Sequence, residues 1–405
     1  MTFLPRALGH SLFKQISVPC VVSVLVLVAV PRTSAQTFHV INVFGGNGTG
    51  ANPGWSPAVD SFGNVYVTTS MGGIGNCYEG CGLVLKGTPH GSQWIWTYLY
   101  RFANGLDGAY PSGPVLLDRA GAVYGVAESS NYGLVYELRP SATRPASAVS
   151  PWNETALYAF SGVGTGFPSG AITFDGAGDI FGTTIENNGT VYELTPIEGG
   201  WSENTLYTFQ GGSDGVNPYY GVTIDSNRNL YGVTNGDYLH CGTVFELANT
   251  GSGWIKSTLY QFQGLSDGCH PLGWLTRDSA GNLYGTAYTS PGPSVIYEVS
   301  PGTGGGWSFS VIQSFSAPAA EGSLAVDSSG NLYGTVGSGG QGLGSIYKLS
   351  HAGDGWMYSS LHDFDPSGAE GQYPQGVTMD SHGNLFGVMT AGGASNDGTV
   401  WELTQ

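Results

Sequence analysis

The side chains with the greatest chemical potential in this 405-residue sequence are two cysteine pairs, two histidines beside one of them, and several repeated acids. Cys77 and Cys81 lie close together, whereas Cys241 and Cys269 are distant in sequence and flanked by His240 and His270. Neither pair has the two-residue spacing of a common structural zinc site. Of the five cysteines, Cys20 falls in the N-terminal leader, and an even four in an exported chain favours disulfides, the expected pairings being Cys77 with Cys81 and Cys241 with Cys269. Three Asp-Gly dipeptides, at Asp107, Asp214 and Asp267, supply oxygen ligands that suit calcium, although the same dipeptide is an ordinary turn. Calcium is the one cofactor these residues suggest, and otherwise no cofactor is expected. Two histidines without an identified nucleophile are weak grounds for catalysis, so no catalytic residue is assigned.

Rings and amides offer a different chemistry. Trp55, Tyr78, Tyr110, Tyr132, Tyr219, Tyr220, Tyr238 and Trp274 could stack on a sugar or another neutral polar ligand while neighbouring polar groups bond its hydroxyls. Tyr219, Tyr220, Tyr238, His240, Asp267, His270 and Trp274 are therefore the candidate ligand-binding set. Each single ring also has a plain use in packing between repeats.

These residues hang on a repeat. An Asp-x-x-x-Asn-Leu-Tyr-Gly element and its variants begin at Asp60, Asp118, Asp175, Asp225, Asp278, Asp327 and Asp380, at spacings of 49 to 58 residues. Each copy reads as four short strands. The first ends at the Asp, which turns the chain into Leu-Tyr-Gly-Thr; Gly-Thr-Val-Tyr-Glu-Leu forms the third strand, and a Gly-rich turn and Trp lead into the fourth. An aspartate present in every copy is read as a turn former. By the same logic Glu137, Glu193, Glu246, Glu298 and Glu402 pair within the sheets, because catalysis needs two carboxylates converging on one substrate.

The phase of the chain ends predicts the architecture. The last copy stops at Leu403-Thr404-Gln405, after its third strand, while Phe38 to Phe44 precedes the first copy and resembles a fourth strand. Phe44 lies 16 residues before Asp60, the separation also found from Phe102 to Asp118, Phe209 to Asp225, Phe262 to Asp278 and Phe364 to Asp380. A ring that exchanges one strand across its seam requires this offset, whereas a linear solenoid would need atypical caps. The prediction is an all-β, seven-bladed β-propeller with four-stranded blades, closed by the N-terminal strand. Loops following the second and fourth strands then share one face, which gathers the candidate rings, His240, His270 and the Cys241 and Cys269 loops.

The Gly-Asn-Leu-Tyr-Gly-Thr, Gly-Thr-Val-Phe-Glu-Leu, Leu-Tyr-x-Phe and Ser-Asp-Gly-x-x-Pro elements resemble the GloVer tandem repeat of secreted bacterial choice-of-anchor proteins. The resemblance spans nearly all of the chain after residue 35. It implies a repeat architecture and secretion, and no particular activity. Because this sequence ends on a propeller strand, the C-terminal sorting tail of anchored members is not expected.

Residues 1–35 read as a signal peptide: Arg6 and Lys14 form a basic leader, an apolar run spans Val18 to Val30, and Thr33-Ser34-Ala35 offers a cleavage site. The run is too short to be a comfortable membrane span. The formal charge is -17, and removing the leader takes three of twelve basic residues and no acidic one. Nucleic acid is thereby disfavoured as a partner, since no basic cluster can replace condensed counterions. Residues 36–405 are expected to form one domain, a monomer, secreted, periplasmic or held at the cell surface, that binds a glycan or protein through its loop face. A hydrolase or lyase at the channel mouth and a structural envelope component are the alternatives.

Overall fold

A computed structural model describes Met1 and residues 36–405, except 47, 74, 129–131, 142–151, 163–165, 238, 265, 290–292, 316–321, 338–343 and 354. The signal peptide read over 1–35 and the candidate Tyr238 lie outside the described residues, Met1 apart. Gln36–Gln405 forms one compact unit. Apart from a 3-10 turn at Gly212–Asp214, its regular elements among the described residues are strands.

Seven antiparallel sheets follow one another around a ring, which is a seven-bladed β-propeller. Blade 1 comprises Ala58–Val59, Val65–Thr69, Leu83–His90 and Gln93–Arg101. Blade 2 comprises a first strand split into Ala109–Pro111 and Leu116–Leu117, then Val123–Glu128, Leu134–Pro140 and Trp152–Ala159. Blade 3 runs Pro168–Phe174, Ile180–Thr184, Thr190–Ile197 and Gly200–Thr208, and blade 4 runs Val222–Ile224, Leu230–Thr234, Thr243–Asn249 and Trp254–Gln261. Blade 5 holds His270–Arg277, Leu283–Tyr288, Ser294–Pro301 and Trp307–Phe315; blade 6 holds Ala325–Val326, Leu332–Val336, Ser345–Ala352 and Gly355–Asp363. Blade 7 takes Gln372–Met379, Leu385–Ala391 and Thr399–Thr404 from the C-terminal end and Thr37–Val43 from the N-terminal side.

The seam repeats the bonding of the continuous blades. Thr37 pairs with Thr404 and Val43 with Thr399, with a bulge between Val40 and Asn42. A register break stands at the corresponding place in blade 4, where Val244 and Phe245 face Tyr260 and Thr258 and pass over Leu259. The Phe44 amide donates to the Gly398 carbonyl at 3.0 Å, as Phe102 does to Gly82 and Phe262 to Gly242 at 3.1 Å. This is the structural basis of the Leu-Tyr-x-Phe motif. Its first residue is bulged, and its Phe is buried while its backbone ties the fourth strand to the start of the third.

The repeated Asp closes the turn between the first two strands. At Asp278, Oδ1 accepts the amides of Ala280 and Asn282 at 2.9 Å, and Oδ2 accepts the Asn282 side chain at 2.8 Å. The Tyr284 hydroxyl lies 3.2 Å from Asp278 Oδ2 and also 3.2 Å from Glu298 Oε1, so one tyrosine links the turn acid to the third-strand acid. Burial alone would raise the Asp60 and Asp327 carboxyls, but bonds from the Asn64 and Asn331 side chains and nearby amides outweigh it and hold both below the usual carboxylate range. These acids have their lone pairs occupied within the turns. Their recurrence therefore reflects local folding.

Candidate functional site

The first strands surround the central channel, and most of them approach through glycine. Six blades carry a proline near the loop face, and the residue two positions later is Gly113, Gly170, Gly273 or Gly376 in four of them. A Cβ on Gly113 would sit 2.1 Å from the Gly170 carbonyl oxygen, and one on Gly170 would sit 2.4 Å from that of Tyr219. Neighbouring blades thus meet backbone to backbone, which only glycine permits. Trp55 and Tyr220, two residues after Pro53 and Pro218, occupy this position in blades 1 and 4. Their rings meet with centroids 6.3 Å apart at 65°. The contact joins blades that are not neighbours, so it lies across the channel.

Trp55 and Tyr220 line a cavity of about 500 Å³ together with Trp274, Tyr288, Leu272 and Gln375. Ser56 and Ser323 add hydroxyls, and none of the described lining residues is charged. The Trp274 amide donates to Ser323 Oγ at 3.0 Å, which fixes the tryptophan to the next blade. The volume falls within the roughly 300–1,000 Å³ of small-molecule sites, with rings for contact and a few polar groups for orientation.

A second cavity of about 590 Å³ lies beside the Cys241–Cys269 disulfide and is lined by Tyr219, His240, His270, Asp237, Asn235 and Asn217, among others. The disulfide joins the loop within blade 4 to the loop leading into blade 5. Asp237 Oδ1 accepts the amides of Leu239 and His240 at 2.8 and 2.9 Å and lies 3.0 Å from His240 Nδ1. The Leu239 amide bond, with the His240 contacts, holds the Asp237 carboxyl below its ordinary range. His270 Nδ1 lies 2.9 Å from the Asn235 carbonyl oxygen, which accepts and so makes Nδ1 the protonated nitrogen. Cys77 and Cys81 form the other disulfide, so both expected pairings are present.

The candidate residues therefore divide. Tyr220 and Trp274 belong to the channel cavity; Tyr219, His240 and His270 belong to the disulfide cavity. Asp267 lines neither of them. Its buried carboxylate accepts the Tyr260 hydroxyl and the Gln263 amide, both at 2.8 Å. Asp107 accepts from Tyr100 and Ala103 in the same way, and Asp214 accepts from Tyr207 and Gln210 and also pairs with Lys256 at 2.9 Å. Blade 6 keeps the arrangement with other residues, His362 facing Glu370 at 2.9 Å. The three Asp-Gly aspartates are thus partners of the preceding tyrosines, each holding its own loop.

Asp237, Tyr288 and Gln375 were not among the sequence candidates. Asp237 could have been found from its position three residues before His240. Gln375 and Tyr288 carry no local signal, because they reach the channel from other blades.

Comparison with known proteins gives the same architecture. The chain is similar to a putative 6-phosphogluconolactonase from Bacteroides uniformis, 13% identical, covering 78% of this chain and 86% of that one at a TM-score of 0.53. A protein from Lactobacillus plantarum is 15% identical, covering 76% and 84% at a TM-score of 0.51. At these identities the likeness is of fold alone. No curated protein matches the sequence. The Gloeobacter/Verrucomicrobia repeat, however, matches residues 128–321 and again 242–405, together more than half of the sequence. By its repeat, then, the chain belongs to the Gloeobacter/Verrucomicrobia repeat family.

Proposed function

We propose that this protein is an exported, non-catalytic propeller that binds a neutral glycan in the channel cavity. The observation that carries the reading is the replacement of hub glycine by Trp55 and Tyr220, whose rings meet across the channel beside Trp274. Packing alone favours glycine at that position, so two rings there need another use. The chain is strongly acidic, yet none of the described residues lining the cavity is charged, which favours an uncharged ligand over a cation or an acidic sugar. Export is supported by the two disulfides, which persist in oxidising compartments. Among the described residues no helix is long and apolar enough to cross a membrane.

The test is glycan-array and pull-down profiling of the wild type beside a Trp55→Ala, Tyr220→Ala, Trp274→Ala variant whose fold is verified by circular dichroism. Retention of at least one neutral glycan by the wild type, lost in the variant, is expected. An identical profile for the two proteins overturns the reading. A hydrolase or lyase is the second reading, favoured by the Asp237–His240 pair in the disulfide cavity. Turnover of a retained glycan that His240→Ala abolishes would establish it.

A further inference from the structure

We infer that the disulfide cavity is an outer subsite continuing the channel cavity, so that the ligand is an oligosaccharide of several units. This rests on reading the channel cavity as a glycan site.

The link is a dipeptide. Tyr219 lines the disulfide cavity and Tyr220, the next residue, lines the channel cavity, with ring centroids 6.3 Å apart. With the Tyr220–Trp55 contact, also at 6.3 Å, aromatic surface runs from the exposed Tyr219 to the far side of the channel. Each cavity has the volume of a separate small-molecule site. A chain of linked sugar rings is a ligand that presents the same chemistry at successive positions.

The polar groups of the outer cavity suit such a ligand. His240 directs Nδ1 to the Asp237 carboxylate and His270 directs Nδ1 to the Asn235 carbonyl, so the neutral form of each ring carries its proton on Nδ1 and offers Nε2 as an acceptor. Sugar hydroxyls are donors for both. These two histidines are half-buried, and the loops bearing them are clasped by Cys241–Cys269, so the acceptors are held in place before the ligand arrives. Unlike the channel cavity, this one draws its described lining residues from blades 4 and 5 and the loops leading into them. It can be altered without touching Trp55 or Trp274.

The experiment is a length series. Affinity for cello-, xylo-, manno- and chito-oligosaccharides of one to six units is measured by isothermal titration calorimetry on the full chain. For the series that binds, affinity should rise about tenfold or more between the shortest and longest members. Tyr219→Ala and His270→Ala should each remove most of that rise, with a much smaller effect on the shortest binder. Trp55→Ala should weaken every length. Cys241→Ser with Cys269→Ser, refolded and verified by circular dichroism, should also flatten the series. Trp55-sensitive binding that is independent of length, or outer variants that weaken all lengths equally, overturns the subsite while leaving the glycan reading standing. Binding insensitive to Trp55→Ala, or no binding in any series, overturns both.

Discussion

Gly285 stands directly opposite Tyr297 in blade 5, and the ring occupies the space a side chain on Gly285 would need: a Cβ there would lie 2.3 Å from the tyrosine oxygen. The same pairing joins Gly182 to Tyr192, Gly334 to Tyr347 and Gly387 to Trp401. Blade 1 has Val67 facing Leu85. A side chain is present on the second strand where the third-strand ring is replaced by a smaller group. Two motifs that look independent in sequence, Leu-Tyr-Gly and Val-Tyr-Glu-Leu, are thus two halves of one packing unit.

Gly285→Val should therefore overpack blade 5 and cost about 1–3 kcal/mol or more of stability. Adding Tyr297→Leu, which recreates the blade 1 pair, should recover a substantial part of that loss. Urea unfolding of the single and double variants measures both. A double variant no better than Gly285→Val would show that the pairing is not what selects the glycine.

Glu154 gives a pH signature. Burial, helped by the negative charge of Asp107, raises its carboxyl to about 7, and its Oε1 is buried without a hydrogen-bond partner. The folded chain thus holds this proton more tightly than the unfolded one, so Glu154 favours folding at acid pH. That contribution is lost as pH rises from the ordinary glutamate range through about 7. Glu154→Gln should leave stability nearly unchanged below the ordinary glutamate range and raise it relative to wild type by a growing amount as pH climbs to about 7, with the full gain kept above that. Denaturant midpoints across the pH range test the crossing, and equal shifts at every pH would contradict it.

The Cys241–Cys269 bond spans a sequence separation of 28 residues. Its removal by Cys241→Ser with Cys269→Ser should cost on the order of 3–4 kcal/mol by the chain-entropy account. Losing Cys77–Cys81, with a separation of 4, should cost less. Thermal denaturation of the two double variants ranks them, and the reverse order would mean that local geometry outweighs loop length.

Deleting residues 36–44 should open the ring. Blade 7 would lose its fourth strand, the Phe38 ring stacked 3.9 Å from His362, and the burial of Phe44. A lower melting temperature and faster proteolysis of the last blade are expected, with partial recovery when a peptide of those residues is added. Unchanged melting would show that the seam contributes little.

Repetition made the fold legible from sequence. Seven turn aspartates, the four-strand unit and the 16-residue offset from Phe44 to Asp60 specify a ring because each is a local or nearest-neighbour constraint. The disulfides were legible for the same reason, since strand order alone placed the Cys241 and Cys269 loops together. The candidate site was legible in part. Sequence identified Tyr220, Trp274, His240 and His270 but merged two cavities into one face and included Asp267, whose carboxylate holds its own loop. What joins across the axis has no periodicity to reveal it. Trp55 and Tyr220 are far apart along the chain and on blades that are not neighbours, and only closure of the ring brings their rings within 6.3 Å. Sequence by itself determined the scaffold, through repeated short-range bonding; the tertiary structure decided which departures from the repeat converge.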